Sequence, residues 1–153
     1  MNSRQGRDGR LDRPVVLVLG GRSELGRQMM PRLVDEGYQL IATSRSAERS
    51  DQQGIDWLQA DPVNGRPAFG SDLQDWLAGR SLGGVINLLG SWMRGEPEKV
   101  LVDTSQWLST SLRAWAPAKT GVLYISGTAV YGDRPGESLT EDSPVHPQSQ
   151  MGK

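Results

Sequence analysis

The stretch PVVLVLGGRSELGR, residues 14–27, decides the fold because it joins a strand pattern to a helix pattern through a glycine-rich turn. Residues 14–20 are dominated by valine and leucine, which is typical of a strand buried on both faces. Residues 23–37 then place apolar side chains at every fourth position from Leu25, so that they share one face of a helix. Ser23 is suited to cap the start of that helix.

Strand and helix patterns alternate along the rest of the chain. We predict further strands over 38–45, 55–61, 83–90 and 121–126, and further helices over 71–79 and 103–117. Such alternation favours parallel strands joined by right-handed crossovers. The sequence therefore predicts an α/β protein with a doubly wound parallel sheet of about five strands over residues 14–153, preceded by a solvated, disordered basic tail over 1–13.

Composition limits the partners and the chemistry of this chain. Its 153 residues suit one domain, and a net charge of -1 gives no strong attraction to nucleic acid, although the arginines of the tail leave a nucleic-acid-binding arm open. The absence of cysteine excludes disulfides and thiolate metal sites, and the single histidine, His146, excludes a multi-histidine metal site. With no apolar run of about 18 residues, we expect a cytoplasmic protein that binds a small molecule and no membrane; oligomerisation stays open.

The turn between the first strand and the first helix resembles a dinucleotide fingerprint in its spacing. Side-chain-free backbone lets a diphosphate approach, and the helix N-terminus supplies N–H groups and a partial positive charge. Ser23 stands where the middle glycine is expected, and the alternative is a glycine turn with no ligand. The expected contacts to a dinucleotide are Gly20, Gly21, Arg22, Ser23, Leu25 and Gly26.

The end of the second strand bears on the choice of coenzyme. A carboxylate there would hold the free ribose hydroxyls of NAD, but this strand ends in Thr43, Ser44 and Arg45. Arg45, together with Arg22 in the glycine turn, suits the 2′-phosphate of NADP through charge-assisted hydrogen bonds. The sequence favours NADP over NAD, and the alternative is that both arginines are solvated surface charges.

Several motifs resemble the extended branch of the short-chain dehydrogenase/reductase superfamily, the NAD(P)-dependent epimerases and dehydratases. They are VLVLGGRSELGR, WLQAD, VINLLG, LYISGTAVYGD and TEDSPVHPQSQMGK, and the resemblance covers residues 14–153. It implies a Rossmann-type sheet and hydride transfer on a small-molecule substrate. It also implies that Asp61 binds the adenine amino group, and that Leu88, Leu89 and Gly90 line the path of the adenosine and the nicotinamide ribose.

The resemblance is weaker at the positions that would carry catalysis. The family's substrate-orienting hydroxyl falls on Gly127, which leaves its neighbours Ser126 and Thr128 as candidates, with Ser126 also near the nicotinamide. Met151 occupies the position of the family's catalytic tyrosine, and a thioether has no exchangeable proton for general acid–base catalysis. The partner lysine would follow after Lys153, so we expect an N-terminal fragment of an atypical member, truncated before the part that shapes the substrate pocket. The alternative is a non-catalytic NADP(H)-binding sensor or regulatory module.

Overall fold

Five parallel strands form one sheet in the computed structural model, which describes residues 14–45, 53–59, 77, 80–89, 105–106, 109–110 and 120–148. The strands are β1 (Val15–Leu19), β2 (Gln39–Ser44), β3 (Ile55–Gln59), β4 (Leu82–Asn87) and β5 (Gly121–Tyr124). Their order is β3-β2-β1-β4-β5, and every neighbouring pair is parallel. The predicted Rossmann-type parallel sheet is confirmed, and its strand order reverses direction between β1 and β4.

β1 is the centre of the sheet because both of its faces are covered. All five of its residues are buried. Since alternate side chains of a strand point to opposite faces, Leu17 and Leu19 join one apolar cluster, while Val16 and Val18 join the other. Burial on both faces explains why this strand is a continuous apolar run rather than an alternating one.

The helix α1 (Glu24–Asp35) packs on one face of the sheet. Its side chain Met30 is buried in the same cluster as Val16 and Val18, with Met29 and Leu33 packed against it. Leu25, which shares the apolar stripe in the sequence, is 47% exposed and contributes little to the core. The predicted helix over 23–37 is confirmed, and the chain leaves it through Gly37 at a φ of 88°.

The remaining predicted elements differ from the structure mainly at their ends. β4 stops at Asn87, whose side-chain oxygen accepts the N–H of Leu89 at 3.1 Å. Leu77 and the pairs 105–106 and 109–110 are helical, as predicted. The rest of those two helices, the residues 60–61 and the tail 1–13 lie outside the described residues. Within the described ranges, no helix has both the length and the apolar character needed to cross a membrane.

β5 forms one edge of the sheet as far as the described residues show. Every apolar side chain from Val122 to Ile125 is between 43% and 50% exposed. Such an edge offers unpaired backbone groups and apolar surface to another chain segment. Within the described ranges, β5 is therefore an exposed edge strand.

Close packing of α1 against the turn before it depends on Gly26. A Cβ added at Gly26 would lie 2.8 Å from the carbonyl carbon and 3.0 Å from the Cα of Gly21, and closer still to the carbonyl oxygen of Gly21. These are backbone atoms, which cannot swing aside as a flexible side chain would. The start of α1 must therefore move if this position carries any side chain.

We expect Gly26→Ala to lower the free energy of unfolding by about 1–3 kcal/mol, the usual cost of overpacking. Urea denaturation followed by circular dichroism would measure it. Gly121→Ala is the matched control, because a Cβ at Gly121 would meet nothing within 4 Å. Equal stabilities for the two variants would contradict the close approach of α1 to the turn.

Candidate functional site

The candidate site lies where the strand order reverses, at the carboxyl ends of β1 and β4. Leu19 is in register with Asn87, and the N–H of Leu88 donates to the carbonyl of Leu19 at 2.9 Å. Beyond this bond, the segment after β1 enters the turn at Gly20 and the segment after β4 continues to Leu89. In open parallel sheets, ligands bind outside the carboxyl ends of the strands, where the strand order reverses.

Thr43 holds the glycine-rich turn in place. The N–H of Gly20 donates to Thr43 Oγ1 at 2.9 Å, and the N–H of Gly21 donates to the Thr43 carbonyl at 3.1 Å. The Thr43 side chain itself is buried, at 4% exposure. Reasoning from the sequence missed this role, although a hydroxyl at the end of an otherwise apolar strand was a usable signal.

Gly20 is required by backbone conformation and by space. Its φ is +78°, a left-handed value that favours glycine. A Cβ there would lie 3.1 Å from Leu89 Cδ2 and 3.3 Å from the carbonyl carbon of Leu88. The backbone of β1 and the backbone after β4 therefore meet at this glycine.

Ser23 begins α1 in the position where the fingerprint has its middle glycine. Its φ of -61° and ψ of 160° are ordinary extended values, so no glycine is needed there. The Ser23 Oγ accepts the N–H of Gly26 at 3.1 Å, which turns the hydroxyl towards the helix. Serine at this position therefore serves as the N-cap of α1.

The opening amides of α1 can receive an anion. The first i→i−4 bond of the helix runs from the N–H of Arg27 to the carbonyl of Ser23 at 2.9 Å. The N–H groups of Glu24 and Leu25 precede it, so helix geometry gives them no acceptor within the helix. Together with the partial positive charge of the helix N-terminus, they form an arrangement that suits a phosphate group.

Glu24 adds a negative charge beside those amides. Its carboxylate is bound by Arg27 Nη2 at 2.7 Å and by Gln28 Nε2 at 3.0 Å, both further along the helix. The hydrogen bond from Arg27, then that from Gln28 and then the Arg27 charge, lowers the pKa of Glu24. The acidic group is therefore partly compensated on its helix side.

The two arginines predicted to bind a 2′-phosphate lie near neighbouring strands. The Arg22 guanidinium carbon is 5.3 Å from the centroid of the Trp57 ring, on β3. Arg45 directly follows β2 and is exposed, and its carbonyl accepts a hydrogen bond from Gln59 Nε2 at 3.1 Å. Trp57 opens the WLQAD motif, but the resemblance gave that motif a role only at Asp61.

After β5, the chain presents the two candidate catalytic hydroxyls. Ser126 and Thr128 are both exposed, and Thr128 starts a short 3-10 helix, Thr128–Tyr131. Gly127 between them has a φ of -134°, and a Cβ there would meet nothing within 4 Å. The structure therefore does not require glycine at the position where the family carries its hydroxyl.

The remaining predicted site residues either lie close to the core or fall outside the described residues. The side chain of Leu88 is buried in the core, so only its backbone can face the crevice, whereas Leu89 is partly exposed. Asp61, Gly90 and Met151 lie outside the described residues. In the described part of the chain, no three carboxylate or imidazole side chains come close enough to hold a metal ion.

Comparison with known proteins agrees with this architecture. Residues 16–152 match the family described as NAD dependent epimerase/dehydratase. No curated protein sequence matches the chain significantly.

Solved structures share the fold at low sequence identity. A UDP-glucose 4-epimerase has a TM-score of 0.68 at 18% identity, over 90% of this chain and 43% of its own. Uronate dehydrogenase from Agrobacterium tumefaciens has a TM-score of 0.67 at 22% identity, over 91% and 50%. The Bordetella bronchiseptica enzyme WbmH in complex with NAD+ has a TM-score of 0.66 at 12% identity, over 92% and 48%. The chain thus spans half or less of the length of these proteins.

We expect Thr43→Val to destabilise the protein by about 1–3 kcal/mol, because it leaves the N–H of Gly20 without its acceptor at nearly constant side-chain volume. Chemical denaturation would measure the loss. Thr43→Ser is the control, since it keeps Oγ and should retain most of the stability. If the valine variant is as stable as the wild type, the bond does not hold the turn.

We expect the carboxyl group of Glu24 to titrate below its ordinary range, as followed by NMR of the side-chain carboxyl carbon. Arg27→Ala should raise that pKa more than Gln28→Ala, because Arg27 supplies both a hydrogen bond and a charge. A carboxyl group with a lowered pKa in the folded state stabilises it above the unfolded pKa, and this stabilisation is lost as pH falls through the folded pKa. An unchanged titration in Arg27→Ala would contradict the ion pair.

Proposed function

Because this chain belongs to the NAD dependent epimerase/dehydratase family, we propose that it binds NADP(H) in the crevice between β1 and β4. The observation that carries the proposal is the turn at Gly20, held by Thr43 and followed by the open amides of Glu24 and Leu25. In this proposal residues 14–153 are the dinucleotide-binding domain. In a protein of the neighbours' length, the function is hydride transfer on a small-molecule substrate.

The described residues fit the diphosphate of a dinucleotide. Gly20 gives the turn its left-handed backbone conformation, and Ser23 directs its hydroxyl into the helix rather than into the crevice. The N–H groups of Glu24 and Leu25 then remain as donors for phosphate oxygens. Gly21 and Gly26 support this arrangement by allowing the turn and the helix to approach each other.

The preference for NADP rests on charge at the end of β2. Arg45 follows β2 directly, and no carboxylate stands among the last residues of this strand. Arg22 adds a second guanidinium from the turn. Two cations, with no acid among the last residues of β2, favour a 2′-phosphate over a free ribose hydroxyl. NAD is the alternative coenzyme, because WbmH is seen in complex with NAD+.

Ser126 and Thr128 are proposed to orient the substrate. When bound, NADP(H) supplies the hydride chemistry, and the protein supplies orientation and binding. The two hydroxyls follow β5, at the same edge of the parallel sheet as the turn at Gly20. Each can donate to a substrate carbonyl or accept from a substrate hydroxyl. Asp61, Leu88, Leu89 and Gly90 are proposed to line the coenzyme path.

A second function, binding of NADP(H) without turnover, is favoured by Met151. The resemblance puts this residue where the family has its catalytic tyrosine, and a thioether cannot exchange a proton at that point. Incubation of the chain with NADPH and a panel of carbonyl compounds separates the two functions. Loss of NADPH absorbance with one compound supports the enzyme, and coenzyme binding without oxidation across the panel supports the sensor.

We expect the chain to bind NADP more tightly than NAD in isothermal calorimetry, and Arg45→Ala to weaken NADP about 10- to 100-fold with little effect on NAD. This loss corresponds to one charge-assisted hydrogen bond. Arg32→Ala is the matched control, because it removes the same charge from the last turn of α1. An absence of heat from both coenzymes would contradict the proposed function, and an unchanged preference in Arg45→Ala would contradict the role of Arg45.

A further inference from the structure

We propose that Trp57 is a positioning residue that holds Arg22 ready for the 2′-phosphate, and so contributes to coenzyme choice from β3. This inference rests on the proposed binding of NADP. Its physical basis is the stacking of the Arg22 guanidinium on the Trp57 ring, with 5.3 Å between the guanidinium carbon and the ring centroid. That distance lies within the range of about 6 Å over which a cation is attracted to an aromatic face.

Arg22 needs such support because of its position. It is an exposed residue of the turn between β1 and α1. A long side chain in such a turn samples many rotamers, and their loss on binding weakens the contact that it makes. Stacking on a fixed ring restricts those rotamers before the ligand arrives.

The Trp57 ring is itself held firmly. Trp57 lies in the middle of β3, in register with Ala42 of β2, and packs against the cluster that contains Met30 and Leu40. Its Nε1 is buried and has no hydrogen-bond partner in the described part of the chain. The indole N–H therefore makes no visible contribution to its placement, and the useful part of the side chain is its aromatic face.

β3 contacts both arginine residues. Trp57 and Gln59 are two residues apart in one strand, so their side chains share a face. The Trp57 ring lies under the guanidinium of Arg22, and Gln59 Nε2 donates to the main-chain carbonyl of Arg45 at 3.1 Å. The second contact holds the backbone of Arg45 beside the end of β2, where the ribose 2′ position of a dinucleotide lies in folds of this kind.

The test is the ratio of the NAD and NADP dissociation constants in variants of the chain. Trp57→Leu removes the aromatic face and should lower the NADP preference about two- to fivefold, the size expected for an exposed cation–π contact, without changing NAD affinity. Trp57→Phe keeps a face and removes the buried N–H, so it should stay near the wild-type ratio. In an Arg22→Ala background, Trp57→Leu should have no further effect.

Arg22→Lys provides the complementary measurement, because Arg22 is exposed and its replacement does not disturb the core. Lysine keeps the charge but lacks the planar group that stacks, so the preference should fall although the net charge is unchanged. An unchanged ratio in Arg22→Lys overturns the inference, even where Trp57→Leu fails to fold. The inference is also overturned if folded Trp57→Leu loses affinity for NAD and NADP equally. It is overturned as well if Trp57→Leu still lowers the NADP preference in the Arg22→Ala background.

Failure of the role of Trp57 and failure of the proposed function give different results. A wild-type chain that binds neither coenzyme contradicts the proposed function, and the inference falls with it. A wild-type chain that prefers NADP, with the same preference in Trp57→Leu, contradicts only the role of Trp57.

Discussion

The hydrogen bond from the Gly20 N–H to Thr43 Oγ1 is the constraint on which the site depends. β1 is buried on both faces, and the first two amides that follow it need hydrogen-bond acceptors. Thr43 supplies its hydroxyl to Gly20 and its carbonyl to Gly21. These bonds fix the turn against β2 and determine where α1 begins.

Once the turn is fixed, a few residues determine how α1 packs and which charges lie at its start. Gly21 and Gly26 allow α1 to lie close to the strand ends, and Ser23 caps the helix with its own hydroxyl. The amides of Glu24 and Leu25 remain for an anion, while Arg27 and Gln28 hold the carboxylate of Glu24. The carboxyl end of the sheet thus carries a helix N-terminus that can bind an anion, together with a Glu24 carboxylate whose charge is partly compensated.

The β5 edge of the sheet is exposed, unlike the strand β1 at its centre. β5 pairs with β4 but exposes its apolar side chains, and the hydroxyls after it are also exposed.

The amino-acid sequence by itself determined the strands, the helix α1 and the turn between them, because periodicity, glycine spacing and caps act over a few residues. It also pointed to Ser23, Arg22 and Arg45 by their local positions. Only the tertiary structure decided that Thr43 holds Gly20, across 23 residues of sequence, and that Trp57 lies under Arg22. Those contacts depend on strand order and register, which arise when separate strands bury their faces together, and no local pattern records which strand will be the neighbour.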